Sequence, residues 1–328
     1  MMHAGQEYAV AFTGLRKAEL VPVERDPAPL GAAEVEGRTL YTLISTGTKL
    51  AGGYEGSRFP SYPGYAGVFQ VQGVGSEVTD LRPGDLAYCM GPHRSFQRVP
   101  AERALRVPEG LVPEAAPFAR LIGVSMTTLT TRARPPQRVL VTGLGLVGHL
   151  AAQVFSSCGY RVTACDPDAR RRMLAEKQGI ADVREQAPQE FTDASERFAL
   201  ALECSGHEQA ALTACRAVRK GGEVALVGCP WQQRTELTAH ELLSLVFHGY
   251  VHLRSGWEWE LPLHEQEFRA NSIFGNQAAA LDWLARGRVR VEGLFQRAEP
   301  QACGPVYEQL REGRAESLGV LFDWTSAP

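Results

Sequence analysis

The chain of 328 residues has room for about two domains of ordinary size. With 44% hydrophobic residues, 22% charged residues and a formal net charge of −3, its composition excludes disorder and a polyanion-binding surface, so nucleic acid is not an expected partner. Seven scattered cysteines, an odd number with no C-x-x-C pair, give neither a disulfide framework nor a cysteine zinc cluster. Gln6 and Glu7 fall where a signal peptide would need a continuous apolar core, which makes the cytoplasm the expected location. The most apolar run, Val139 to Phe155, is broken by Thr142, His149, Gln153 and three glycines, so no membrane span is expected.

In chain order, the first hundred residues read as short β-rich runs at Tyr8 to Phe12, Thr39 to Ile44, Val68 to Gln72, Asp85 to Cys89 and Phe96 to Val99. Turn signals separate them at Asp26-Pro27, Arg82-Pro83-Gly84-Asp85 and Gly91-Pro92, which predicts a largely antiparallel β domain. From Pro113 to Thr131, Ala116, Leu121, Val124 and Leu129 recur at helical spacing and predict a linking helix.

Strand and helix then alternate. Strands are expected at Val139 to Thr142, Arg161 to Cys165, Phe198 to Glu203, Glu223 to Val227 and Tyr250 to Leu253, with a faint sixth near Ala181 to Val183. Helices through Leu150 to Ser157, Arg171 to Gln178, Glu208 to Val218 and Glu241 to Phe247 separate them, the pattern of a parallel sheet covered on both faces. Two more helices, around Asn276 to Arg286 and Pro305 to Glu312, precede a last strand at Leu318 to Phe322.

The strongest chemical signal is Gly143-Leu144-Gly145-Leu146-Val147-Gly148, a G-x-G-x-x-G between a strand and a helix. The first glycine permits the tight turn, the second lets a pyrophosphate approach the backbone, and Gly148 lets helix and strand pack closely. The helix N-terminus then offers unpaired N–H groups to phosphate. Asp166 ends the second strand 18 residues after Gly148, where a carboxylate accepts hydrogen bonds from the adenosine ribose and repels a 2′-phosphate. NAD is therefore the expected cofactor and NADP the less favoured one. Arg170, Arg171 and Arg172 follow at once; Arg171 is the candidate to face the ribose site, and a solvated helix face is the other reading of the cluster. Cofactor contacts are also expected from Cys204, Ser205 and Gly228, which follow two later strands.

The ordered set Gly47-Thr48, Pro63-Gly64-Tyr65-Ala66-Gly67, Arg82-Pro83-Gly84-Asp85, the glycine turn, Glu203-Cys204-Ser205-Gly206 and Gly221-Gly222 resembles the medium-chain dehydrogenase/reductase superfamily over nearly the whole chain. The resemblance implies an α/β protein: a GroES-like β domain plus a Rossmann domain with a doubly wound parallel sheet, and an active site in the cleft between them. It also implies that the C-terminal part returns to the first domain, giving residues 1–117 and 263–328 as the discontinuous GroES-like catalytic domain and 118–262 as the dinucleotide-binding domain. A homodimer is implied, its edge strand around Tyr250 to Arg254 pairing across a two-fold axis.

Zinc-dependent members of that superfamily hold a catalytic metal with ligands from three segments, and this sequence departs at each. Thr46 stands before Gly47-Thr48 where cysteine is usual, Tyr65 follows Gly64 where histidine is usual, and Pro117 to Leu121 offers Ala119 and Arg120 in place of an acid. A catalytic zinc needs three N, S or anionic O ligands, so no metal is expected. His93 reads as a polar loop histidine. Another group must then stabilise or protonate the substrate oxygen. By position the candidates are Tyr65, Thr48 and Lys49, each with a plainer reading as packing, a turn hydrogen bond or a solvated cation.

Within the superfamily, Ile44 to Lys49 with Pro63-Gly64-Tyr65 looks most like the zinc-less branch containing bacteriochlorophyllide dehydrogenase and related secondary-alcohol oxidoreductases. The expected function is hydride transfer between a nicotinamide and a secondary alcohol or ketone. The alternatives are a zinc-less quinone or enoyl reductase and a non-catalytic dinucleotide-binding protein. Trp257 and Trp259, two apart on an expected extended segment, read as core or subunit packing, with a binding wall as the other reading.

Overall fold

A computed structural model describes residues 6–44, 47 and 50–326. The chain forms two compact units, Met1–Arg120 with Val291–Pro328, and Leu121–Arg290.

In the first unit, β1 (Glu7–Gly14) and β2 (Lys17–Val23) form an antiparallel hairpin. The long strand β3 (Glu34–Ile44) organises the larger sheet with β4 (Gly67–Val74), β5 (Leu86–Cys89), β6 (Phe96–Pro100) and β7 (Ala104–Arg106). Burial alternates along β3 through Tyr41 and then becomes continuous to Ile44. At that end β3 pairs with the last strand of the chain, and Ile44 packs into the core cluster that holds Tyr54, Tyr307 and Phe322.

The expected helix from Pro113 to Thr131 is split into a short 3₁₀ turn, Pro113–Phe118, and α1 (Ala119–Thr127). Pro117 lies inside the turn, and its missing N–H and fixed φ suit a turn better than a helix interior.

The second unit contains β8 (Arg138–Thr142), α2 (Leu146–Ser157), β9 (Arg161–Cys165), α3 (Ala169–Lys177), β10 (Asp182–Arg184), β11 (Phe198–Glu203), α4 (Glu208–Ala217), β12 (Val218–Leu226), α5 (Ala239–Gly249), β13 (His252–Ser255) and α6 (Ile273–Ala285). Its six strands are all parallel, in the order β10-β9-β8-β11-β12-β13. That is the doubly wound order 3-2-1-4-5-6, with its switch point between β8 and β11. Every side chain of β11 is buried, as a central strand covered on both faces requires.

The chain returns to the first unit after Arg290, whereas the resemblance implied a boundary at 262/263. The later position has a local cause, because the segment after α6 is tied to α2. Gln153 Nε2 donates to Arg290 O (3.0 Å), Arg290 N donates to Gln153 Oε1 (2.8 Å), and Ser157 Oγ donates to Arg288 O (2.9 Å).

The returning tail supplies β14 (Phe295–Ala298), α7 (Cys303–Arg311) and β15 (Gly319–Asp323). Tyr307, Val320, Phe322 and Trp324 join Val10, Phe12, Ile44 and Tyr54 in one core cluster, so the first unit is built from both ends of the chain. No helix among the described residues is long and apolar enough to cross a membrane.

Candidate functional site

The glycine turn sits at the switch point, where β8 hands over to α2. Gly143 has a φ of +85°, and a Cβ there would come within 2.8 Å of the Ser205 Cβ. At Gly148 a Cβ would lie 1.8 Å from the Gly143 carbonyl oxygen and 3.1 Å from Cys204, so only glycine lets the helix reach the strand. Gly145 differs: it is the N-cap of α2, and a Cβ there meets nothing within 4 Å. As the N-cap it precedes the first turn of α2, where the N–H groups of Leu146 and Val147 have no intrahelical acceptor.

Asp166 follows β9 and is almost fully buried. Its Oδ2 accepts from Leu144 N (2.7 Å) and from the Arg171 guanidinium (3.3 Å), while Oδ1 accepts from Asp168 N (2.8 Å). The carboxylate is thus tied into the glycine turn itself. With about four lone-pair sites on an ionised carboxylate, three bonds leave acceptor capacity for a ribose hydroxyl. The three arginines have separate partners. Arg170 pairs with Asp168, and Arg172 donates to the carbonyls of Asp166 and Pro167. Arg171 alone touches the Asp166 carboxylate, with 44% of its side chain exposed.

The ends of β11 and β12 complete the rim. Cys204 N donates to Thr142 O (2.8 Å), and Val227 N and Gly228 N both donate to Glu203 O. Glu203 is buried, and burial pushes its carboxyl above the usual range against the hydrogen bonds it accepts from Ser205 and Gly206. It clamps the Cys204-Ser205-Gly206 turn, a role that its place in the strand-ending motif alone did not reveal. The structure therefore brings Gly143 to Gly148, Asp166, Arg171, Cys204, Ser205 and Gly228 to one end of the parallel sheet.

In the first unit, Tyr65 follows the Pro63-Gly64 turn, which is held by a hydrogen bond from His93 N to Pro63 O (2.9 Å). The Arg120 guanidinium stacks over the Tyr65 ring, 4.8 Å from its centroid, and Arg120 is only 3% exposed. Sequence reasoning noted Arg120 only as a missing acid. The available signal was a lone cation in the apolar stretch Ala115 to Ile122.

Thr46, Thr48 and Lys49 lie outside the described residues. His93 is not a solvated loop residue: it is fully buried, its Nδ1 2.7 Å from Thr42 Oγ1 and its ring edge-on to Phe322. Trp324 Nε1 donates to the same Thr42 hydroxyl (3.0 Å), so this histidine belongs to a buried polar network. Trp257 and Trp259 are 51% and 57% exposed and flank the start of a 3₁₀ turn, Glu258–Glu260, so they are neither core residues nor a pair on one extended face.

A family model described as zinc-binding dehydrogenase matches residues 147–254. An alcohol dehydrogenase of Geobacillus stearothermophilus is 22% identical over 311 residues, covering 80% of this chain and 83% of the relative. Among solved structures, a putative zinc-binding dehydrogenase from Sinorhizobium meliloti bound to NADP superposes with a TM-score of 0.78 at 17% identity, over 98% of this chain and 100% of that one. Acetophenone reductase from Geotrichum candidum, in complex with NAD, gives 0.76 at 17% identity over 98% of each chain. These likenesses cover both units, and the matched family segment runs from the glycine turn to the end of β13. The sequence and fold likenesses support a medium-chain dehydrogenase/reductase, an oxidoreductase similar to NAD(P)-dependent alcohol dehydrogenases.

Proposed function

We propose that the protein transfers hydride between NAD(H) and a secondary alcohol or ketone without a catalytic zinc. The observation that carries the cofactor half is the bond from Leu144 N to Asp166 Oδ2, which sets a ribose-binding carboxylate against the phosphate-binding turn. Gly145 supports it, since its open side is a cradle that a larger residue would fill. In this reading the N–H groups of Leu146 and Val147 hold the pyrophosphate, Asp166 accepts from the ribose, and Cys204, Ser205 and Gly228 form the wall beyond. When bound, the nicotinamide supplies the acceptor or donor of hydride. One feature favours NADP instead: Arg171, half-exposed beside Asp166, is within reach of a 2′-phosphate.

Zinc does not fit the residues present. Tyr65 offers a phenol and Ala119 a methyl group at two of the three ligand positions, and no group of three His, Cys, Asp or Glu among the described residues is placed to hold a metal. What remains to handle the proton is Tyr65, with Thr48 and Lys49 as partners proposed from their position in sequence. During alcohol oxidation the Tyr65 oxygen takes the hydroxyl proton, and during ketone reduction it returns one to the carbonyl oxygen. The Arg120 cation over the ring stabilises negative charge at that phenol, a duty a metal would otherwise perform. The exposed edge of β13 suits pairing with a second copy of the chain.

A screen of secondary alcohols, ketones, enones and quinones with NAD(H) and NADP(H) tests the reading. Turnover of an alcohol/ketone pair with NAD(H) is expected. Reduction of enones or quinones alone, or tight cofactor binding with no turnover, would contradict it.

A further inference from the structure

We propose that the second unit carries another ligand site, separate from the glycine turn, for an organic anion with an apolar body. An open cavity of about 890 Å³ lies against β12 and β13, and its lining includes the apolar Met126, Leu129 and Trp283 and the cations Arg132, Arg134 and Arg254. That volume is within the range of small-molecule sites, about 300–1,000 Å³.

The charges at its wall do not cancel. Glu223, the one carboxylate in the lining, is already matched: it accepts from Arg254 Nε, from Thr131 Oγ1 (2.7 Å) and from Arg132 N (3.1 Å). Those hydrogen bonds hold its carboxyl below the usual range although burial opposes them. Arg132 and Arg134 have no carboxylate partner among the described residues. Arg134 spends Nη1 on the carbonyls of Thr131 and Ala133. Arg132 Nη1 lies 3.0 Å from His252 Nε2. A guanidinium only donates, so His252 Nε2 accepts there, and an imidazole brings no negative charge to pair with the arginine.

A second observation points to a ligand independently. Asn276 lines the cavity from α6, is 8% exposed, and its Nδ2 is enclosed without a hydrogen-bond partner. A buried amide donor left unpaired costs stability, about 1–3 kcal/mol, and such groups are rare in native proteins unless something else satisfies them. A carboxylate or phosphate monoester would accept from Arg132 and Arg134, which no carboxylate pairs among the described residues, and from the Asn276 amide once that side chain turns toward the cavity. Its hydrocarbon part would cover Met126, Leu129 and Trp283.

Calorimetry on the intact protein, saturated with NADH so that the glycine turn is filled, tests this with octanoate, octyl phosphate, 1-octanol and inorganic phosphate. One site per chain is expected for octanoate or octyl phosphate, with Kd below about 1 mM, and at least tenfold weaker binding of octanol and phosphate. The two octyl anions separate a carboxylate from a phosphate as the preferred head. Arg132→Met, at an exposed position, should weaken the anion at least tenfold with NADH affinity unchanged. Asn276→Leu should also weaken it while raising the melting temperature of the ligand-free protein, because the unpaired amide is gone. No saturable heat with either octyl anion up to about 10 mM, octanol binding as well as octanoate, or full affinity in Arg132→Met would overturn the site.

Discussion

The turn after β8 and the Tyr65–Arg120 pair are both candidate chemistry, yet they are specified in different ways. At the turn, the residues that matter are near neighbours in sequence or lie at the ends of adjoining strands, and their geometry follows from backbone rules. Gly148 touches Gly143, Leu144 binds Asp166, and Gly143 abuts Ser205. The Tyr65–Arg120 contact instead joins residues far apart in sequence, one after the Pro63-Gly64 turn and the other in the first turn of α1. Local rules make the first region legible; tertiary packing creates the second.

The sharpest break of that contrast lies within the turn itself. Gly148→Ala should cost more than about 4 kcal/mol or prevent folding, because its Cβ would meet the Gly143 carbonyl at 1.8 Å. Gly145→Ala should melt within about 0.5 kcal/mol of the parent, because its Cβ meets open space, and yet bind NADH about tenfold more weakly. Thermal melts with fluorescence titration check the pair; equal stability in both variants would mean that neither glycine is there for the packing described.

The next effect is acid-linked and belongs to the helix that follows the turn. His149 is fully buried, and burial lowers its pKa from 6.5 to about 4. The unfolded chain then takes up a proton that the native state refuses, so stability is full above about pH 6.5 and falls as pH drops toward 4. The loss across that window is about 3 kcal/mol. His149→Leu should flatten this part of the profile in denaturant titrations at several pH values.

In the other region, Tyr65→Phe should lower turnover by about 10²-fold with NADH affinity unchanged. Arg120→Met should lower turnover less and displace the alkaline limb of the pH–rate profile, the readout that separates a charge effect from packing. Full turnover in Tyr65→Phe would reduce that phenol to a packing residue. The smallest effect returns to the ribose end: Asp166→Asn should shift the NADH/NADPH affinity ratio toward NADPH by about tenfold, with Arg171 released to the phosphate.

These contrasts explain what the sequence revealed. The parallel strands read plainly because strands such as β8 and β11 are continuous apolar runs. The three-residue strand β10 was faint because an edge strand has few positions and little burial to enforce a pattern. The hairpin partner β2 escaped notice altogether, since Lys17–Val23 is mostly half-exposed and lacks clean alternation. The glycine turn and Asp166 were legible as a unit. The burial of His93 was not, because Thr42, Phe322 and Trp324 reach it from other strands and from the returning tail. Arg120 was visible as an odd cation in an apolar stretch, but its partner could be found only in three dimensions.

We propose hydride transfer without a metal, with the proton handled at Tyr65. Its most direct test is the NAD-linked oxidation rate of a secondary alcohol by protein dialysed against chelator, with zinc content determined on the same sample. An undiminished rate at much less than one zinc per chain is expected. A rate that vanishes on chelation and returns with one equivalent of zinc would contradict it.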